Sequence, residues 1–261
     1  MKLFIIVMQN SFTGFSQYFD KVFVLTLPRL TERIAYIQKT LAGLDYDFYF
    51  GVDKTELGVD EALRTGLFDI DGFRSFYKYP QTISAGMLCC ALGHLQIYKE
   101  IVNQQYQRTL ILEDDVIPRY ENLHLLSSVM ADLPPAWELL YLGYEKQENL
   151  GFREWSNLQF KKIIPYHTQL RMTRKMFKNF YARPYAKHIS SAGFHDCTHA
   201  YVVTMEGAKK LLACGTPVRF HPDNLLSWMI GQGLLKGYIA RPKLFSQQTA
   251  FVHQRDSLTS S

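Results

Sequence analysis

The sequence predicts an α/β protein with an open, mostly parallel sheet and helices on both faces, folded as a single domain that carries one basic insertion. Three observations lead there. Short apolar, β-branched runs alternate along the chain with stretches whose apolar residues recur every three or four positions. The composition, 47% hydrophobic and 20% charged over 261 residues, is that of a globular chain with one full core rather than a disordered or membrane-spanning one. An acidic triplet closes one apolar run, at the edge where open α/β sheets present ligand sites.

The elements follow in order. Residues 22–27, VFVLTL, read as a strand, and Ile34, Ile37 and Leu41 then mark a helix that Gly43 stops. YDFYF at 46–50 is a second strand, which completes an opening βαβ unit. Residues 53–79 mix Gly, Asp and aromatics without a period, so a loop is expected, with one helical turn near 61–64. Ser84 caps a helix to about residue 103, and its apolar set runs from Met87 to Val102. A strand over 109–116, a helix near 122–130 and a strand over 137–143 come next. Beyond the basic stretch the pattern resumes with a strand at 199–204, a helix at 206–215, a helix at 223–233 and a last strand at 237–242. Residues 1–20 are taken as an N-terminal extension and 21–261 as the domain.

Charge and cysteines narrow the class. The net charge is +5, and residues 157–187 hold eight Lys or Arg with no acid. The cations alternate with aromatics, which suits anionic headgroups or phosphorylated sugars, although such runs are often only solvated faces. Cys89 and Cys90 are adjacent while Cys197 and Cys214 lie far off. That is neither a disulfide framework nor a zinc ribbon. The apolar run at 3–8 is shorter than a signal-peptide core or a membrane span, so the expectation is a cytoplasmic protein.

Four places could carry chemistry. Glu113, Asp114 and Asp115 repel one another unless a cation compensates, and carboxylates select hard ions such as Mn²⁺ or Mg²⁺. Arg29 and Arg33 share the first turns of a helix, where the dipole disfavours cations unless an anion binds; the alternative is a surface pair with Glu32 or Asp20. His94 either orders the acidic loop or is a core residue. His195, Cys197 and His199 alternate and would share a face in a strand, although two His and one Cys make a poor zinc cage.

The motif order resembles glycosyltransferase family 25. VFVLTLPRLTER (22–33), ISAGMLCCALGHLQIYKEI (83–101), LILEDDV (110–116), HAYVVTMEGAKKLL (199–212) and PVRFHPDNLLSWMI (217–230) are similar to that family's motifs in the right sequence order. The resemblance implies a GT-A fold and inverting transfer from a UDP-sugar, commonly UDP-galactose, with a Mn²⁺ requirement. Asp115 would then be the metal ligand, with Glu113 or Asp114 on the ribose or the metal and His253 as a late imidazole ligand. Thr26, Leu27, Arg29 and Arg33 would line the nucleotide, with His94 near the donor. Asp223, at the start of a helix, is the candidate base, expected to stay ionised near or below ~3.9, unless it only caps that helix. The expected acceptor is a lipopolysaccharide-type surface glycan, with contact to the inner membrane face through the basic stretch and no nucleic-acid partner. The competing readings are a catalytically silent carbohydrate- or membrane-binding protein, a hydroxylysine-type galactosyltransferase, and a metal-dependent phosphohydrolase, which would normally need more scattered acids and His around a two-metal site.

Overall fold

The computed structural model describes residues 12–78, 83–148 and 170–248; His253 and residues 157–169 of the basic stretch lie outside them. In chain order the elements are β1 (Lys21–Thr26), α1 (Thr31–Thr40), β2 (Asp47–Phe50), α2 (Val59–Arg64), α3 (Ile70–Phe76), α4 (Ala85–Gln104), β3 (Arg108–Glu113), β4 (Val116–Pro118), α5 (Leu126–Ala131) and β5 (Leu139–Glu145). They continue with α6 (Arg174–Lys178), β6 (Arg183–Pro184), β7 (Ile189–Ser191), β8 (Asp196–Thr204), α7 (Met205–Gly215), α8 (Pro222–Gly231), β9 (Gly237–Ala240) and β10 (Phe245–Gln247).

Eight strands form the main sheet in the order β2-β1-β3-β8-β5-β9-β7-β6. The pairings make β2, β1, β3, β5, β9 and β6 run one way, and β8 and β7 the other. The sheet is therefore mixed but mostly parallel in direction. Strands buried on both faces read as continuous apolar runs, and β1 does: Phe23 and Leu25 enter one core while Val22 and Val24 enter the other. Side chains from α4, α7 and α8 cover the first face. The second is covered by α1 and α5, joined by Phe12, Phe15 and Phe19 from the stretch taken as an extension.

Local rules set the helix that matters most. Ser84 Oγ accepts from the Met87 N–H at 3.2 Å, which satisfies one free donor at the start of α4. Gly93 lets α4 lie close over β1, since a Cβ there would stand 3.1 Å from Leu25 Cδ1. That approach sets His94 beside the end of β3.

Two expectations change. The loop over 53–79 contains α2 and α3; α3 is held by Asp69, which accepts from Gly72 N at 2.8 Å and from Arg219 Nε at 2.8 Å, a partner 150 residues away that no local pattern reveals. The strand over 109–116 ends at Glu113, and β4 leaves to pair with β10 in a separate sheet. Inside the basic stretch, Leu170, Met176, Phe180 and Ala182 belong to the core, so its described part is built into the domain.

Candidate functional site

The site forms where β1 and β3 end side by side, with Leu25 paired to Glu113. Beyond Glu113 the chain turns, and the three carboxylates go to three different partners.

Asp114 is fully buried. Its Oδ2 accepts from Thr26 Oγ1 at 2.6 Å and its Oδ1 from Arg33 Nη1 at 2.5 Å. Burial pushes its carboxyl up, and Arg33 and Thr26 oppose that. Both oxygens are engaged, so Asp114 ties the acidic turn to β1 and α1. Arg33, read as a nucleotide contact, is itself buried against this carboxylate.

Glu113 faces the α4 side. Thr198 Oγ1 donates to its Oε1, and His94 Nε2 stands 3.3 Å from the same oxygen. Burial raises this carboxyl, but His94 and Thr198 outweigh it and hold Glu113 below the usual range. His94 Nδ1 meets Tyr201 OH at 2.8 Å, and Tyr201 meets Tyr98 OH at 2.8 Å. His94 thus orders the acidic turn through a buried chain of hydroxyls.

Asp115 differs from both. Its Oδ2 accepts from Gln247 Nε2 at 2.9 Å and its backbone carbonyl from Gln248 N at 2.7 Å. Its Oδ1 is buried with no hydrogen-bond partner among the described residues. Burial, then the charge of Glu113, pushes the carboxyl up to about 7. A buried acceptor without a donor costs ~1–3 kcal/mol. What the position lacks is positive charge, and a lone carboxylate oxygen suits Mn²⁺ or Mg²⁺. Asp115 therefore fits the ion that the family resemblance implies, with Glu113 adjoining it.

The other residues expected to line a donor border the same edge. Arg29 Nε donates to Asp53 Oδ2 at 2.5 Å, and Asp53 also accepts from Thr55 N at 2.9 Å. About a third of the Arg29 side chain is exposed (32%), against 5% for Arg33, so Arg29 is the more accessible of the two cations. Leu27 is buried in a small cluster with Leu30.

Asp223 occupies the first turn of α8, after Pro222. Its Oδ1 accepts from Asn224 N at 2.8 Å, and it is also hydrogen-bonded by the Cys197 backbone. The expected low pKa is corrected: burial, then Asp196, pushes the carboxyl up to about 6. The charge of Glu113 reaches it as well, so Asp223 belongs to the electrostatic surroundings of the acidic turn.

The shared face expected for His195, Cys197 and His199 does not form. Cys197 sits at φ 73, in the left-handed region, which breaks the alternation. His195 Nε2 accepts from Gly193 N and its Nδ1 donates to the Lys146 carbonyl, both at 2.9 Å. His199 is buried, and burial pushes it down to about 4 against the opposing effect of a hydrogen bond to the Phe245 backbone.

Asp53, Thr198, Tyr201 and Gln247 were missed by sequence reasoning. Asp53 could have been found, because it follows β2 at the ligand-bearing edge. Gln247 lies 132 residues from Asp115 and gives no local signal.

Comparison with known proteins bears on the family of the chain. The sequence model described as glycosyltransferase family 25 (LPS biosynthesis protein) matches residues 19–226. Mouse procollagen galactosyltransferase 2 is 24% identical over 199 residues, covering 74% of this chain and 27% of that protein. A glycosyltransferase 25 family member of Anopheles gambiae is 27% identical, covering 73% of this chain and 28% of its own length. A cattle protein named probable inactive glycosyltransferase 25 family member 3 is 27% identical, covering 82% and 32%. The chain thus spans about a third or less of the length of these relatives. The span matched by the family model contains β1, the acidic turn, α4 and Asp223, and the chain belongs to glycosyltransferase family 25.

Proposed function

We propose that this protein is a GT-A-type hexosyltransferase that moves a sugar, galactose, from a UDP-sugar to a lipopolysaccharide-type surface glycan with inversion at the anomeric carbon. The observation that carries the reading is the buried Oδ1 of Asp115 just beyond β3, which has no hydrogen-bond partner among the described residues. Asp115 would hold Mn²⁺ or Mg²⁺, with Glu113 beside it and His253 as a late ligand. The bound ion supplies the charge that neutralises the departing diphosphate.

The protein's own residues do the rest. Arg29, partly exposed beside the start of α1, faces the anionic donor, where a helix N-terminus also offers free N–H groups. Thr26 and Arg33 fix Asp114, so the acidic turn keeps its shape without a ligand. His94 and Thr198 hold Glu113 ionised. Asp223, raised to about 6, is the general base that takes the acceptor hydroxyl's proton as the new bond forms. Among the described residues no helix is long and apolar enough to cross a membrane, and the proposed location is the cytoplasmic face of the inner membrane, reached through the exposed cations of α6 and the turns after it.

The test is UDP release from a panel of UDP-sugars, with and without glycan acceptor, in Mn²⁺ and in excess chelator. Release that needs ion and acceptor supports the reading; full release in chelator overturns the metal role. The cattle relative's name motivates a second reading, a silent binding protein, and donor binding without any release in the same assay would establish it.

A further inference from the structure

We infer that Cys90, His94 and Glu113 form a second metal site, for a thiophilic divalent cation such as Zn²⁺, distinct from the hard-ion role of Asp115. One ligand atom from each of these residues lies within 4.8 Å of the others. Cys90 and His94 are four apart on α4 and so share a face; Glu113 comes from the end of β3. The set is buried, with Cys90 at 5% and His94 at 2% exposure, while 14% of the Glu113 side chain meets solvent, which leaves a way in.

The distances suit the ion. Zinc bonds of ~2.0 Å to N or O and ~2.3 Å to S set tetrahedral ligand separations of roughly 3.3–3.8 Å, and His94 Nε2 already stands 3.3 Å from Glu113 Oε1. The cysteine has about 1 Å or less to close. Ligating imidazoles characteristically give their other N–H to a fixed partner. Here His94 Nδ1 meets Tyr201 OH, which is held in turn by Tyr98 OH. That support orients Nε2 toward Glu113 whether or not an ion is present.

A thiol with imidazole and carboxylate selects Zn²⁺ or Co²⁺ over Mn²⁺ or Mg²⁺, because thiolate is the soft ligand of the set. On binding, the Cys90 S–H bond breaks and its proton passes to solvent, the His94 proton moves from Nε2 to Nδ1, which then donates to Tyr201 OH, bonds form from S, N and O to the ion, and no atom is oxidised or reduced. Glu113 is thereby shared between this ion and the acidic turn, so occupancy by zinc would oppose whatever Glu113 does there.

Co²⁺ added to the chelator-stripped full chain tests this, because a cobalt–thiolate bond gives a near-ultraviolet charge-transfer band. The expected result is a band that saturates at one equivalent, is abolished by stoichiometric Zn²⁺, is absent in Cys90→Ser, and persists in Cys197→Ser and Cys214→Ser. Tyr201→Phe removes only the hydroxyl on His94 Nδ1 and should weaken Co²⁺ ~10-fold or more; it decides the matter if Cys90→Ser does not fold by circular dichroism. No band in the wild-type chain, a band kept by a folded Cys90→Ser, or unchanged affinity in Tyr201→Phe would overturn the site.

Discussion

Arg33 Nη1 meets Asp114 Oδ1 at 2.5 Å with both side chains almost fully out of solvent. The pair joins α1 to the acidic turn 81 residues later. Removing one partner leaves a buried charge uncompensated, which costs about 3–5 kcal/mol. Arg33→Met should therefore lower the urea midpoint sharply, while Arg33→Met combined with Asp114→Leu should recover much of the loss. A single variant within ~0.5 kcal/mol of wild type would mean that the pair is not a buried latch.

Asp115 is predicted to behave in the opposite way. Its Oδ1 has no partner among the described residues, so Asp115→Asn should leave stability nearly unchanged or raise it in the absence of ions. Mn²⁺ should raise the melting temperature of the wild-type chain by mass action and leave Asp115→Ala unmoved. Differential scanning fluorimetry across a Mn²⁺ series reads both. An equal Mn²⁺ shift in Asp115→Ala would place the ion elsewhere.

The alternation of strands and helices was legible because periods of 2 and 3.6 are written locally. Met87 to Val102 carries the helical period cleanly, while Val22 to Thr26 shows as a short continuous apolar run. The acidic turn was legible too, since three adjacent carboxylates after an apolar run have few structural uses. What was hidden is the division of labour among them. Asp114 goes to Arg33, Asp115 to Gln247 and Glu113 to Thr198, and each partner arrives from a distant element. The rise in the Asp223 pKa was hidden for the same reason, since burial and Asp196 cause it and neither shows in the sequence around a helix start.

Asp223 gives a pH prediction with a definite sign. Its folded pKa of about 6 lies above the unfolded value of ~3.9, so the folded state holds this proton more tightly. Its contribution to stability is complete below ~4 and is lost as pH rises through about 6. Asp223→Asn should flatten that part of the stability–pH curve. If Asp223 is the base, transfer should climb with pH through about 6, and Asp223→Asn should lose ~10²–10⁴ in rate. The first turn of a helix accounts for only ~0.5–2 kcal/mol if capping is all it does. A variant that transfers at near wild-type rate moves the base to another acid.

The basic stretch supplies the last prediction. Six of its eight cations are in the described residues, and all six, Arg171, Arg174, Lys175, Lys178, Arg183 and Lys187, are exposed. Its apolar side chains Met176, Phe180 and Ala182 point into the core instead, so the surface here is charge on a rigid base, with the half-exposed ring of Tyr185 among the cations. Such a surface attracts anionic lipid or phosphorylated glycan at about 1 kcal/mol per cation close to a charged membrane, within a Debye length of ~8 Å. Reversing Arg174, Lys175, Lys178 and Lys187 to Glu should then weaken binding to anionic vesicles by roughly 10³ or more. The folded core should not notice, because none of the four is buried. Vesicle sedimentation at rising salt should show wild-type binding falling steadily, and neutral vesicles should bind neither protein. Equal binding of wild type to anionic and neutral vesicles, or to neither, would reduce these cations to a solvated face.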